Sequence, residues 1–147
     1  MSIEKITLIE KFDRIDNYYE PHIISELNGQ HVKLAKIKGE FTWHSHAEQD
    51  ELFLVVKGHF DMHLRDDIIR LSAGDLITIP RGVEHKPVAH QEAHILLFEP
   101  IGTVNTGELQ NDFTKKNLKH IWSSDRRVRH FAWLIKKPPD LASGGNF

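Results

Sequence analysis

Short strand-compatible runs follow one another through the middle of the chain. After Gly39 these are FTWHSH, LFLVV, FDMHL, IIRL, LITI and HILLF, and the stretches between them carry glycine, proline or charged residues. Many short runs with regular turn signals are typical of a β-sandwich or barrel. We therefore expect an all-β fold.

The segment before Gly39 predicts a β-hairpin. Residues 22–37 form two β-compatible runs on either side of Asn28-Gly29, the dipeptide that best tolerates the positive φ angles of a two-residue turn. Residues 4–15 place apolar side chains at mixed spacings, which fits a short helix or a paired strand. An irregular arm is the favoured interpretation of that stretch.

The region after Pro100 contains less regular structure. Residues 101–113 are loop-like, and a late strand is predicted where Phe131, Trp133 and Ile135 alternate with other residues before two prolines. The whole chain, 1–147, is predicted to be one domain. It has a barrel core at about 30–100, an N-terminal arm at 1–21 and a C-terminal extension at 101–147.

Composition excludes several classes of function. The 147 residues are 39% hydrophobic, which suits one core, and the net charge of −2 indicates neither a nucleic-acid nor a membrane partner. There is no cysteine, so any metal site must use nitrogen and oxygen ligands. The charged N-terminus and the lack of a long apolar run favour a cytoplasmic protein.

Two histidines and a glutamate stand beside the apolar run LFLVV. If residues 41–46 form a strand, His44 and His46 share one face. The polar insert 47–50 interrupts the alternation of side chains, so that Glu51 can begin a new strand on the same side as the histidines. Residues 52–56 are apolar at every position, which predicts a strand covered on both faces. A carboxylate that opens such a strand needs a partner, and a metal cation is one.

A fourth ligand is available further along the chain. Pro80 and Gly82 fit a tight turn, after which His85 can face inward. Three imidazoles and a carboxylate suit iron, manganese, nickel, cobalt, copper or zinc rather than calcium or magnesium. In an octahedral field, four protein ligands leave two positions for other molecules.

These residues fall in two spaced motifs that resemble those of the cupin superfamily. Gly39-x4-His44-x-His46-x4-Glu51-x6-Gly58 resembles the first motif, and Gly74-x5-Pro80-x-Gly82-x2-His85 resembles the second. The resemblance implies a double-stranded β-helix, or jelly roll, with a metal in its mouth. The implied ligands are His44, His46, Glu51 and His85.

The surroundings of these ligands suggest a pocket and a partner. Phe41 and Trp43 should lie on the face opposite His44, where a hairpin or a second subunit would cover them, so we predict a homodimer. The pocket is predicted to be largely apolar and to accept a small organic molecule, with Arg81 as its nearest cation. Its predicted wall consists of Thr42, Phe53, Val55, Phe60 and Met62.

Other polar residues are assigned to the surface. His59, Asp61 and His63 alternate with apolar neighbours and should face outward, and residues 91–93 are predicted to form a turn.

Two classes of function fit this sequence. The first is a metal-dependent enzyme of oxygenase, isomerase or lyase type, and the alternative is a non-catalytic module that binds or senses a small ligand or metal. A metal-free sugar epimerase is disfavoured, because the chain's two tyrosines, Tyr18 and Tyr19, lie in the arm.

Overall fold

A computed structural model of the chain describes residues 3–122. In this part the backbone forms one short helix and eight strands. They are α1 (Leu8–Phe12), β1 (His22–Leu27), β2 (Gln30–Glu40), β3 (Glu51–Lys57), β4 (His59–Leu64), β5 (Ile68–Ser72), β6 (Leu76–Ile79), β7 (His85–Pro100) and β8 (Lys119–His120). The all-β prediction is confirmed. The strand predicted around Phe131 lies outside the described residues.

Two long antiparallel strands, β2 and β7, form the spine of the fold. They pair from Gln30↔Pro100 to Glu40↔Val88. On its other side, the C-terminal half of β7 pairs with β3, and its N-terminal half pairs with β4. Because two different strands flank β7, the sheet divides into two layers that enclose one core, as in a jelly roll.

Turn chemistry fixes the hairpin between β1 and β2. Asn28 and Gly29 have φ angles of 48° and 74°, and the flanking residues Leu27 and Gln30 pair. Positive φ at both central positions is the requirement of the turn that matches strand twist. The hairpin prediction is confirmed.

The N-terminal segment contains a helix rather than only an irregular arm. Helix α1 packs on the outer face of the sheet, where Phe12 and Ile15 contact Ile24, Leu34 and Ile121. The amine of Lys11 donates a hydrogen bond to the carbonyl of Ile121 at 2.8 Å. Burial of the apolar side chains stabilises a helix that is too short to persist alone. Within residues 3–122, no helix has the length and apolarity needed to cross a bilayer.

Strand β3 is buried mainly on one face. Phe53 and Val55 lie in the core, whereas Leu52, Leu54 and Val56 on the other face are only half-buried. The inner face is therefore covered as predicted, whereas the described residues, including those of α1 and Ile121, cover the outer face only in part.

Residues 91–93 do not form a turn. They lie inside β7, where Ala93 is buried and pairs with Ile37 of β2. The ladder with β2 is irregular here, because it passes from Gly39↔Ala89 to Ile37↔Ala93, and residues 90–92 stay within β7 without partners in β2. The outward positions of His59, Asp61 and His63 agree with prediction, since Phe60 and Met62 between them are buried.

A charged pair is buried inside the barrel. The amine of Lys33 lies 2.7 Å from Oε1 of Glu99, and both side chains are almost fully buried. The amine also donates to the carbonyl of Thr103 at 3.3 Å, while Oε2 of Glu99 has no hydrogen-bond partner in the described part of the chain. Each charge therefore depends on the other for compensation.

This pairing predicts a large effect of removing one partner. Replacing Glu99 with Ala should lower the free energy of unfolding by about 3–5 kcal/mol, because the Lys33 charge would remain buried without a counter-ion. Urea unfolding of the metal-free protein measures the change. The matched control is Glu84→Ala, which removes an exposed ion pair with Arg65 and should cost less than about 1 kcal/mol. Equal effects of the two substitutions would contradict the prediction.

Candidate metal centre

Four buried side chains converge at one end of the barrel. His44, His46, Glu51 and His85 each offer one ligand atom, and these atoms lie within 4.8 Å of one another. The side chains belong to the connection after β2, to the first residue of β3 and to the first residue of β7. The four residues named from the two motifs are thus brought together and are positioned to hold a metal ion.

The two motifs bind each other directly through the backbone. The N–H of His44 donates to the carbonyl of His85 at 3.1 Å, and the N–H of His85 donates to the carbonyl of His44 at 2.9 Å. The N–H of Gly82 donates to the carbonyl of His46 at 2.7 Å. Gly82 has a φ of 78° in the turn after Pro80, which a glycine adopts without strain.

Residues 41–46 are not a regular strand, which corrects the prediction. Only the bridge between His44 and His85 has strand-like pairing in this segment. The histidine rings therefore converge because the second motif holds this segment, not because of alternation along a strand.

Local hydrogen bonds orient two of the imidazoles. Nδ1 of His44 lies 2.9 Å from the carbonyl of Thr42, and Nδ1 of His85 lies 2.9 Å from the carbonyl of Val83. A carbonyl only accepts, so each Nδ1 carries a proton and each ring directs its Nε2 toward the cluster. Such backbone contacts fix the tautomer of metal-binding histidines.

The contacts around Glu51 show that the donor set fits a cation. Its Oε2 lies 3.2 Å from Nε2 of His46 and 3.3 Å from Nε2 of His85. Nε2 of His46 is buried, and no residue of the described range 3–122 forms a hydrogen bond with it. Nδ1 of His85 is already bonded to the carbonyl of Val83, so the Nε2 atoms of His46 and His85 and the Glu51 carboxylate face one another across the cluster. A shared cation would compensate all of them at once.

The pKa values agree with this arrangement. Burial is the main cause that lowers the pKa of His44 to about 4, with the neighbouring His85 acting in the same direction. Burial would raise the pKa of Glu51, but the close polar contacts and the charge of His46 and His85 outweigh it and lower the pKa to about 2. At neutral pH the cluster therefore has a neutral imidazole at His44 and an anionic carboxylate at Glu51.

An open cavity leads to the cluster. The empty space there is about 360 Å³, a volume that includes open solvent, and His44 and Glu51 form part of the wall. The other residues that line it are Tyr19, Pro21, Ala35, Ile37, Phe41, Phe53, Pro87, Ile95, Leu97 and Asn105. The wall is mainly apolar, as ligand pockets commonly are.

The structure places the predicted pocket residues in four environments. Phe53 lines the cavity, whereas Val55, Phe60 and Met62 are buried in the core. Thr42 is half-buried and its carbonyl accepts the His44 hydrogen bond. Arg81 is exposed and contacts the carboxylate of Asp50 at 3.3 Å.

Phe41 faces the cavity, contrary to prediction. Its ring lies 5.2 Å from that of His44 and stacks on Tyr19 at 4.8 Å. Trp43 takes the outer side, where the guanidinium of Arg65 lies 3.9 Å from its ring centroid. The two aromatic residues point to different sides because the segment is not an alternating strand. They therefore give no argument for a second subunit, and the homodimer stays a prediction.

Sequence reasoning missed the residues that close the cavity from outside the barrel. Tyr19 comes from the arm and Asn105 from the loop after β7. In the same loop, a Cβ added at Gly107 would overlap the carbonyl oxygen of Ser45, beside the His46 ring. Neither Tyr19 nor Asn105 lies in a motif. Gly107 has a φ of 61°, and the only sign of this conformation in the sequence is that the residue is a glycine.

The lowered pKa of His44 predicts an acid sensitivity of the metal-free protein. The folded-state value of about 4 lies below the ordinary 6.5, so the unfolded chain binds the proton first. The stabilisation is complete above pH 6.5 and is lost as the pH falls through 4, with a total of about 3 kcal/mol. Urea unfolding between pH 7.5 and 4 should show this loss, and His44→Gln should have a shallower pH dependence. An unchanged slope in the variant would contradict the assignment.

The part of the chain that contains the four cluster residues is similar to known proteins. The family model for the cupin domain matches residues 30–99. The uncharacterized protein YdbB of Bacillus subtilis (strain 168) is 34% identical over 87 residues, which are 52% of this chain and 77% of YdbB.

Two crystal structures resemble the fold. A cupin-2 domain containing protein from Shewanella frigidimarina is 43% identical, with a TM-score of 0.64 over 65% of this chain and 93% of that one. Protein NMB1881 from Neisseria meningitidis is 26% identical, with a TM-score of 0.61 over 66% of this chain and 99% of that one. Since barrel, motifs and relatives agree, the chain belongs to the cupin superfamily.

Proposed function

We propose that this cupin binds one divalent transition metal at His44, His46, Glu51 and His85 and uses it to transform a small organic molecule. The observation that carries the proposal is the open cavity that ends on His44 and Glu51. A purely structural site has a closed ligand shell, whereas a catalytic site keeps a position that substrate can reach. The cavity supports the second arrangement.

The chain's own residues would prepare the site. The carbonyls of Thr42 and Val83 hold two Nε2 lone pairs toward the centre, and Glu51 supplies one negative charge. The apolar wall limits water at the cluster. A metal held there would polarise a substrate oxygen or support dioxygen chemistry. Imidazole and carboxylate ligands suit iron, manganese, cobalt, nickel, copper or zinc.

Among residues 3–122, the cavity wall offers no free acid or base. Its titratable members are His44, Glu51 and Tyr19. The Tyr19 hydroxyl donates to the carbonyl of Gly39 at 2.6 Å, and burial, with a smaller contribution from Glu40, raises the pKa of Tyr19. Oxygenation, isomerisation and lyase reactions all remain compatible with this wall, provided that the metal activates the substrate.

The first test concerns metal content. Protein purified without an affinity tag or chelator should carry about one transition-metal ion per chain by elemental analysis. His46→Ala and His85→Ala should each lose most of it, because each removes a buried ligand. His90→Ala is the matched control, since that side chain is exposed outside the cluster. Full metal content in a double His46→Ala, His85→Ala variant would refute the site.

The second test separates an enzyme from a binding module. Metal-loaded protein incubated with a pooled small-molecule cell extract should deplete one compound and accumulate another, as followed by mass spectrometry. His46→Ala should leave both levels unchanged. A compound that is retained by the metal-loaded protein without being converted would instead support the alternative of a sensing or binding cupin.

A further inference from the structure

The polar groups of the cavity wall are already engaged. The Tyr19 hydroxyl donates to Gly39. Nδ2 of Asn105 donates to the carbonyl of Phe113 at 2.8 Å, and Oδ1 of Asn105 accepts from the N–H of Lys115 at 2.8 Å. These bonds hold the loop after β7 against the cavity. The wall therefore provides few partners for a molecule that carries many hydroxyl groups.

Positive charge is also missing from the wall. No lysine or arginine is among the described residues that line the cavity. Arg81 is exposed and contacts Asp50, and Lys33 is buried against Glu99. A divalent ion beside Glu51 leaves one net positive charge, which compensates at most one negative charge on a ligand. Further anionic groups would meet an apolar surface at high cost.

Aromatic rings continue from the cluster into the cavity. Phe41 contacts His44 edge-on, stacks on Tyr19 and lies 5.0 Å from the ring of Phe113. On another part of the wall, Phe53 has its ring 6.0 Å from that of His85. Aromatic rings favour offset-stacked and edge-to-face partners at such separations. A flat ligand can therefore contact Phe41 or Phe53 while its polar end is at the cluster.

We propose that the ligand of this site is a small planar molecule, aromatic or conjugated, whose only polar end is an oxygen chelating group, and that Phe41 and Phe53 determine this specificity. The inference rests on the proposed metal site and names the substrate class for it. Sugar phosphates and polycarboxylates are excluded as ligands by the same wall.

Two hydroxamates test the inference in zinc-loaded protein. Acetohydroxamate and benzohydroxamate share a chelating group, and the second carries a phenyl ring where the first has a methyl group. The ratio of their dissociation constants therefore measures what contacts between the ring and the cavity wall contribute to binding. Isothermal titration should show benzohydroxamate binding about tenfold or more tightly, because its ring buries apolar area. A carboxylate added at the 4-position of the ring should weaken binding by at least about tenfold.

Substitutions of the aromatic residues test which side chain causes the preference for benzohydroxamate. Phe41→Ala should reduce the benzohydroxamate preference to less than about threefold, and the ratio of the two dissociation constants cancels any effect of the substitution on the cluster itself. Phe41→Leu keeps most of the packing if the first variant does not fold, and it should also lower the preference. The matched control is Trp43→Ala, which removes a neighbouring aromatic ring on the outer side and should leave the ratio unchanged.

The outcomes separate the two proposals. Bound zinc and acetohydroxamate without a preference for the ring, or tight binding of the 4-carboxylate, would overturn the substrate class and leave the metal site standing. A protein that holds no metal by elemental analysis would overturn the proposed function, and the substrate class with it.

Discussion

The reciprocal backbone hydrogen bonds between His44 and His85 are the contact on which the site depends. They join two segments 41 residues apart in the chain, neither of which could place the cluster alone. The same pattern recurs on both sides, because each of these histidines also donates from Nδ1 to the carbonyl two residues before it. The same local conformation at His44 and His85 thus fixes both the position and the tautomer of each imidazole ring.

Charge inside the barrel is balanced in a way that favours a cation. Glu51 and Glu99 are buried carboxylates, and Lys33 is the buried ammonium beside Glu99. Burial and the proximity of Glu51 raise the pKa of Glu99 to about 7, although Lys33 opposes the change. With both carboxylates ionised, one negative charge lacks a counter-charge. A divalent ion at the cluster would supply it, which links the stability of the interior to occupancy of the site.

Sequence reasoning succeeded where residue type alone determines conformation. Asn28-Gly29 predicts its turn because few other residues accept those φ angles, and the spaced motifs identify all four cluster residues. It failed where long-range pairing overrides local pattern. Phe41 was assigned to the wrong side because residues 41–46 are held by the second motif. Residues 91–93 were assigned to a turn, although they belong to an irregularity within β7 that ends where Ala93 pairs with Ile37.

The cavity was also only partly predictable, for a related reason. Phe53 could be placed from its parity with Glu51 along a strand, since side chains two apart share a face. Tyr19 and Asn105 reach the cavity from segments without periodicity, so no pattern in the sequence connects them to the cluster. The positions of loops and arms are set by tertiary contacts, and these cannot be inferred from the periodicity of a single sequence.

Tyr19 and Asn105 both lie outside residues 30–99, the part that the cupin family model matches. The cluster residues lie within that part, so the shared family unit and the outer part of the wall are separate stretches of chain. The arm and the loop can therefore be exchanged as segments separate from the His and Glu residues, provided that Gly107, which lies against Ser45, is kept. Grafting them onto another cupin barrel would change the outer part of the wall while the recipient keeps its own metal centre and its own residues at the positions of Phe41 and Phe53.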